Sequence, residues 1–155
     1  MVAHLSVRWC GSIGGMPGRS GDPASLTTFR IGDPPRTGEG LRIGAARRPP
    51  RGVPRDRWQA GGYFDVWFPV IAPSVELLAR LREWDLDSPA DRARFYRAYE
   101  RELSAPDARH VIDLLAAIAR RTPIAIGCYC EDEARCHRSV LARVIWERMG
   151  ISRKP

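Results

Sequence analysis

Short apolar runs alternate with longer amphipathic stretches along this chain, and the two patterns predict strands and helices. Residues 26–31 are rich in β-branched and aromatic side chains and end at the turn signal of residues 32–35, so they predict a first strand. Residues 41–46 alternate apolar and other positions and predict a second. Residues 63–68 form the most aromatic run, and we expect them to be a central or near-central strand.

Three helices are predicted between residues 74 and 121. Ser74, Ser88 and Ser104 are suitable N-caps, and a proline stands just inside the second and third helices. Apolar residues that recur at helical spacing are expected in the core. They are Leu77, Leu78, Leu81 and Trp84 in the first helix, Phe95, Tyr96, Tyr99 and Leu103 in the second, and Val111, Leu114, Leu115 and Ile118 in the third.

The last third of the chain predicts one strand and one helix. Residues 123–130 (PIAIGCYC) are typical of a buried strand with helices on both faces of its sheet. The final helix is expected to begin at Cys136 or His137 and to end at Gly150. It should bury Val140, Leu141, Val144, Ile145 and Met149. We therefore predict a single three-layer α/β domain with a largely parallel sheet flanked by helices.

Composition sets the boundaries of this domain and its compartment. Residues 1–25 are rich in Gly, Ser and Pro and predict a flexible leader, so the domain should span 26–150, with a basic tail at 151–155. No apolar run approaches the roughly 18 residues of a membrane span. Three of the four cysteines fall within nine residues, unlike the framework of a small secreted domain. We expect a cytoplasmic protein with reduced thiols and no membrane partner.

The net charge of +7 favours anionic partners. Only Lys154 among the 25 basic residues is a lysine, and the chain has no helix-turn-helix, zinc-finger or RNA-binding signature. Residues 42–57 contain six arginines, and the prolines among them prevent a regular helix. Such a loop can present guanidinium groups to phosphate or carboxylate, or be a solvated surface loop.

The stretch 128–138 (CYCEDEARCHR) is where the chemistry is concentrated. Ligands of an open α/β sheet lie beyond the carboxyl ends of its strands, where the next helix presents free backbone amides. One interpretation is therefore an anion site made by these amides with Arg135 or Arg138. Another is a nucleophilic thiolate at Cys136 or Cys130, since a helix start and a nearby cation lower a thiol pKa.

Two further interpretations of this stretch remain open. Cys128, Cys130, Cys136 and His137 are soft zinc ligands in the right number. Their spacing argues against one tetrahedron, because adjacent helical residues such as Cys136 and His137 point about 100° apart. Alternatively the cysteines are small core residues. We expect no bound metal and no cofactor.

Three motifs resemble a known family. Cys130-Glu131 followed by Cys136-His137-Arg138 and Leu141 is similar to the C-terminal signature of the domain of unknown function 488 family. Residues 50–54 and 64–74 resemble elements of its YeaO-like branch, so the resemblance covers about residues 26–149. It implies a compact α/β domain without an established activity. It also marks candidate site residues, namely Arg51, Asp65, Ser74, Glu131, Cys136, His137 and Arg138.

We therefore expect a protein that binds a phosphorylated or other anionic ligand, such as a nucleotide or nucleic acid, in a pocket built by residues 51, 65 and 130–138. Cys136, His137 and Glu131 are the candidates for catalysis. The candidate ligand-binding residues are Arg51, Asp65, Ser74, Cys130 and Arg138. The alternatives are a nucleic-acid-binding module without chemistry and a cysteine-dependent enzyme or zinc-binding protein.

Overall fold

The computed structural model describes residues 26–151, in which four strands form one parallel sheet. The strands are β1 (Leu26–Arg30), β2 (Leu41–Gly44), β3 (Val66–Trp67) and β4 (Ile124–Cys128), in the order β1-β4-β2-β3. The α-helices are α1 (Val75–Arg80), α2 (Pro89–Leu103), α3 (Pro106–Ala119) and α4 (His137–Arg148). Short 3-10 helices occupy Arg55–Arg57, Pro69–Ile71, Leu81–Glu83 and Glu133–Arg135. The predicted leader, residues 1–25, and residues 152–155 of the tail lie outside the described residues.

Strand β4 is at the centre of the sheet. Ile124 is in register with Leu26 of β1 and with Leu41 of β2, so β4 is hydrogen-bonded on both sides. All five of its residues are buried. A strand with neighbours on both edges and cover on both faces must be apolar throughout, which explains its sequence and confirms the prediction of a buried strand.

Strand β3 is an edge strand, and the prediction of a central position for residues 63–68 was wrong. Only Val66 and Trp67 pair, and they pair with β2 alone. Just before them, the Asp65 side chain accepts the backbone N–H of Arg42 at 2.8 Å, a donor that a longer strand would use for pairing. Pro69 follows closely and ends the strand, since proline has no N–H for the sheet.

The α-helices cover one face of the sheet. Ile43, Ile124 and Ile126 share a core cluster with side chains from all four helices. Ser74 caps α1 and Ser88 caps α2, as the sequence predicts, because each hydroxyl accepts an N–H of the first helical turn. The start of α4 directly after Cys136 is also as predicted.

Helix α3 departs from the sequence prediction in two ways. Its N-cap is Ala105, without a side-chain cap, because the Ser104 hydroxyl instead donates to the Glu100 carbonyl at the end of α2. Its buried stripe lies on Ile112 and Leu115 with three alanines, whereas Leu114 is 56% exposed. The alanines on the buried side of α3 permit a close approach to α4, against which α3 packs. This contact, and not the position of the largest apolar residues, sets which side of α3 faces the core.

An aromatic layer covers the other face. Phe29 and Phe64 lie over the glycines Gly127 and Gly44, where a Cβ atom would fall 2.2 Å and 2.5 Å from the respective rings. The buried Arg42 guanidinium stacks 3.9 Å above Phe29. Trp58, Tyr63 and Trp67 complete the layer, which contains no α-helical residue among those described. The predicted α/β domain with a parallel sheet is thus confirmed. The prediction of helices on both faces was wrong, because the aromatic segment before β3 supplies the third layer.

Arg42 fixes this segment in place. Its guanidinium donates to the carbonyl of Gly62 at 2.5 Å and to that of Asp33 at 2.9 Å. Glu39 lies 3.4 Å away and pairs with it in a buried position. Among residues 26–151, no helix is both long and apolar enough to cross a membrane.

Gly127→Ala is expected to lower the free energy of unfolding by about 1–3 kcal/mol, because overpacking displaces a buried ring. Urea unfolding followed by tryptophan fluorescence measures the change. Phe29→Leu on the same background removes the far edge of the ring that meets the new Cβ. The double variant should therefore be more stable than the sum of the two single effects predicts. Strict additivity would show that these residues do not compete for space.

Candidate functional site

Three thiols converge at the carboxyl end of β4. Cys128 is the last residue of the strand, Cys130 follows two positions later, and Cys136 is the N-cap of α4. Their Sγ atoms all lie within 4.8 Å of one another, and those of Cys128 and Cys130 are 3.6 Å apart. The alternation of side chains along a strand predicts that these two cysteines face the same way, and the structure confirms it.

The chain reverses between Cys130 and Cys136 through local hydrogen bonds. Asp132 accepts the N–H of Ala134 at 2.8 Å and caps the 3-10 helix Glu133–Arg135. The hydroxyl of Tyr96 on α2 donates to the Ala134 carbonyl at 2.5 Å. Arg138 is 3% exposed and donates to the carbonyls of Cys130 at 2.5 Å and of Glu131 at 3.3 Å. These contacts fold the loop back over the start of α4.

The backbone of Cys136 brings His137 to the same place. Cys136 is extended, with φ −112° and ψ 142°, so its side chain does not follow helical geometry. The Nδ1 atom of His137 lies 3.8 Å from the Sγ atoms of both Cys128 and Cys136. The sequence argument that Cys136 and His137 cannot share one centre was therefore wrong, because it treated both residues as helical.

The second ring nitrogen of His137 fixes its tautomer. Nε2 lies 2.7 Å from the carbonyl oxygen of Ala45, which can only accept a hydrogen bond, so Nε2 carries the proton. Burial lowers the pKa of His137, although the bond to Ala45 opposes that shift. The ring is then neutral at pH 7, and Nδ1 presents a lone pair to the sulfurs.

The pKa values of the three thiols are shifted in different directions. The pKa of Cys130 is lowered, first because the Cys128 side chain hydrogen-bonds to it and then because Cys136 does. The same interaction with Cys130 raises the pKa of Cys128, and interactions with both partners raise that of Cys136. The first negative charge of the cluster therefore belongs on Cys130, the exposed member of the three.

A cavity of about 270 Å³ opens beside the cluster. It lies beyond the carboxyl ends of β2 and β4 and is lined by Ala46, Arg47, Arg48, Pro73, Leu78, Leu81, Leu86, Phe95, Cys128, Tyr129, Cys130, Arg135, Cys136 and His137. The lining is largely apolar and includes three arginines. None of the described residues that line the cavity is Asp or Glu.

The three arginines differ in how firmly they are held. Arg47 donates to the carbonyls of Pro73 at 2.9 Å and of Ala72 at 2.5 Å. Arg135 pairs with Asp132 at 3.0 Å and with Asp87. The exposed side chain of Arg48 has no hydrogen-bond or ion-pair partner anywhere in residues 26–151. It is therefore the guanidinium most available to a ligand.

The sequence-predicted site residues separate into two groups. Cys130, Cys136 and His137 line the cavity. Arg138 supports the loop behind them, and the Glu131 carboxylate pairs with Arg30 at 3.1 Å on the surface. The carboxylates of residues 131–133 do not line the cavity.

The expected shared pocket of residues 51, 65 and 130–138 is not formed. Asp65 accepts the N–H of Arg42 and a side-chain hydrogen bond from Gln59, so both carboxylate oxygens have structural partners. Ser74 caps α1 and contacts Glu102. Arg51 is an exposed loop residue. None of Arg51, Asp65 and Ser74 lines the cavity of the thiols.

The list of candidate site residues from the sequence omitted Arg47, Arg48 and Cys128, although Cys128 was a possible zinc ligand and the two arginines belong to the arginine-rich loop. A usable signal was present, because Arg47 and Arg48 follow β2 almost directly, and ligands lie beyond the carboxyl ends of parallel strands. Arg51 drew attention because it belongs to a motif, whereas the position of a residue in the sheet decides whether it reaches the cavity.

The motifs of residues 50–54, 64–74 and 130–138 all lie within one family match. Residues 26–149 match the family DUF488-N3a, described as the active DUF488-N3 subclade. The chain belongs to the DUF488 family. The match is to this subclade and does not support placement in the YeaO-like branch. No curated protein and no solved structure gives a significant match to this DUF488 protein.

Arg138→Lys is expected to loosen the loop of residues 130–135 and to lower the free energy of unfolding by about 1–3 kcal/mol. A lysine ammonium keeps the charge but lacks the planar fork that bonds two carbonyls at once. Hydrogen exchange with mass spectrometry should show faster exchange in residues 131–136, with little change in the last two turns of α4. Arg143→Lys, an exchange on the same helix at a side chain that pairs with Glu100 and Glu147 and not with the loop, serves as the control. Equal exchange in both variants would contradict the role of Arg138.

Proposed function

We propose that this DUF488 protein binds a small anionic molecule, such as a phosphorylated metabolite or mononucleotide, in the cavity beside the thiol cluster. The observation that carries the proposal is the charge of the lining, with three arginines and no acidic residue among the described residues. A guanidinium can grip phosphate or carboxylate through two parallel hydrogen bonds. The position beyond the carboxyl ends of β2 and β4 is the usual ligand position for such a sheet.

The dimensions and walls of the cavity restrict the ligand. Its volume of about 270 Å³ is just below the range for small-molecule pockets, about 300–1,000 Å³. Leu78, Leu81 and Phe95 provide an apolar wall on the side of α1 and α2. The proposed ligand therefore combines an anionic group, which faces the arginines, with a ring or other apolar part that packs on this wall.

Arg48 is the residue whose loss should reveal ligand binding. Arg47 and Arg135 are already hydrogen-bonded to the protein, so their replacement would also disturb the fold. Arg48 has no partner among residues 26–151, and its replacement should leave the structure unchanged. Arg51 is a matched control, because it is also exposed and without a partner there but does not line the cavity.

Arg48→Ala is expected to weaken AMP binding about tenfold, a loss typical of one charge-assisted hydrogen bond. Arg51→Ala should change it less than about twofold, which is less than 0.5 kcal/mol. Isothermal titration calorimetry with AMP, adenosine and inorganic phosphate measures the contributions of the anionic and apolar parts. Equal effects of the two variants, or adenosine binding as tight as AMP binding, would contradict an anion site in the cavity.

A nucleic-acid-binding module is the second candidate, favoured by the loop between β2 and β3. The side chains of Arg48, Arg51, Arg55 and Arg57 are exposed there and have no hydrogen-bond or ion-pair partner among the described residues. This candidate uses the same arginines differently, because a polymer would contact several of them together.

For a nucleic-acid-binding module, Arg51→Ala and Arg48→Ala should weaken binding of a single-stranded oligonucleotide to a similar extent. Each should reduce the slope of log affinity against log salt by about 1. Fluorescence anisotropy over a salt series measures both quantities, and Arg97→Ala, which removes an exposed arginine of α2, is the control outside the loop. Binding that does not depend on salt would exclude this candidate.

A further inference from the structure

We propose that Cys128, Cys130, Cys136 and the Nδ1 atom of His137 form a site for a single zinc ion. The proposal rests on the geometry of these four side chains and does not depend on the anion site. All four come from the end of β4 and the start of α4, which the fold already holds together.

Most separations of the donor atoms are close to those of one tetrahedron. Zinc–sulfur bonds of about 2.3 Å and a zinc–nitrogen bond of about 2.0 Å place sulfurs about 3.8 Å apart and sulfur and nitrogen about 3.5 Å apart. The Cys128 and Cys130 sulfurs are 3.6 Å apart, and Nδ1 lies 3.8 Å from the sulfurs of Cys128 and Cys136. All three sulfurs lie within 4.8 Å of one another, and a bound ion requires the side chains of His137 and Cys130 to move closer together.

The histidine is already arranged as a metal ligand. A metal-binding imidazole donates its other N–H to a carbonyl or carboxylate, which orients the ring. In His137 that donor is Nε2, which bonds the Ala45 carbonyl at 2.7 Å and leaves Nδ1 directed to the sulfurs. The ring is 6% exposed and lies edge-on to buried Tyr99, so packing holds the orientation.

The sulfurs also have supporting contacts. The backbone N–H of Arg138 donates to the Cys136 Sγ atom at 3.5 Å, as an amide at the start of a helix can do for a thiolate. The Arg138 guanidinium bonds the Cys130 carbonyl on the other side of the centre. Zinc with three thiolates has a formal charge of −1, and this buried cation lies beside it.

Three thiolates and one imidazole favour zinc over metals that need oxygen ligands. Thiolates and imidazole suit zinc, whereas calcium and magnesium need oxygen ligands. An iron–sulfur cluster spreads its cysteines around several iron and sulfide atoms. Sulfurs within 4.8 Å of one another leave room for one ion.

The position of the ligands indicates what the ion would do. Four protein ligands close the tetrahedron, which is typical of a structural zinc site. Cys128, Cys136 and His137 are buried, and Cys130 is the exposed ligand on the cavity side. The ion would therefore tie the loop of residues 129–135 to the start of α4 and form the floor of the cavity.

The test uses the full-length protein, reduced with a phosphine and purified from a zinc-supplemented culture without chelator. Elemental analysis should find one zinc per chain. X-ray absorption at the zinc edge should show three sulfurs at about 2.3 Å and one nitrogen at about 2.0 Å. Cobalt added to the metal-free protein should give thiolate charge-transfer bands and the intense visible bands of a tetrahedral site. Reduced wild-type protein without zinc that also fails to take up cobalt would overturn the proposal.

Variants assign the ligands. Cys128→Ser and Cys136→Ser should each lower zinc retention during dialysis at least tenfold. Cys10→Ser is the matched control, since Cys10 lies outside the described residues and outside the proposed ligand set, and it should retain one zinc per chain. His137→Cys should retain zinc with a four-sulfur spectrum, which separates loss of a ligand from loss of the fold. Equal zinc loss in Cys10→Ser, or a spectrum without nitrogen in wild type, would contradict the assigned ligands.

Discussion

The placement of β4 between β1 and β2, covered on both faces, is the constraint on which the rest of the structure depends. It requires apolar residues from Ile124 to Cys128 and a glycine where the Phe29 ring crosses the strand. Ionisable side chains cannot be accommodated inside such a strand without large desolvation costs. The chemistry is therefore found at the carboxyl end of β4, where the strand leaves the sheet and α4 begins.

Arg138 holds the loop that follows β4 against the start of α4. A guanidinium that is 3% exposed needs partners, and the carbonyls of Cys130 and Glu131 provide them. Satisfying this buried cation pulls the loop over the start of α4. Cys136 remains extended at the N-cap, where its sulfur accepts the N–H of Arg138. The convergence of three thiols and one imidazole is a consequence of hydrogen bonding by the neighbouring backbone.

The electrostatics of the site come from how the surrounding carboxylates are used. Glu131 pairs with Arg30 and Asp132 with Arg135, while Asp65 is occupied by the backbone of Arg42. With these acids directed elsewhere, the described lining of the cavity keeps its arginines and has no carboxylate. The anion site that we propose depends on this arrangement, because the positive net charge by itself is spread over the chain.

The sequence by itself determined most of the local elements and the stretch in which the three thiols lie. The apolar run of β4, the serine caps of α1 and α2 and the helix start after Cys136 follow from short-range rules of burial and hydrogen bonding. The tertiary structure decided which side chains meet. It placed β3 at the edge and rotated the buried stripe of α3 toward Ile112 and the alanines. It also kept Arg51 and Asp65 away from the cavity and brought Arg47 and Arg48 to it. Such contacts depend on the order of the strands in the sheet and on the paths of the loops, which no local pattern specifies.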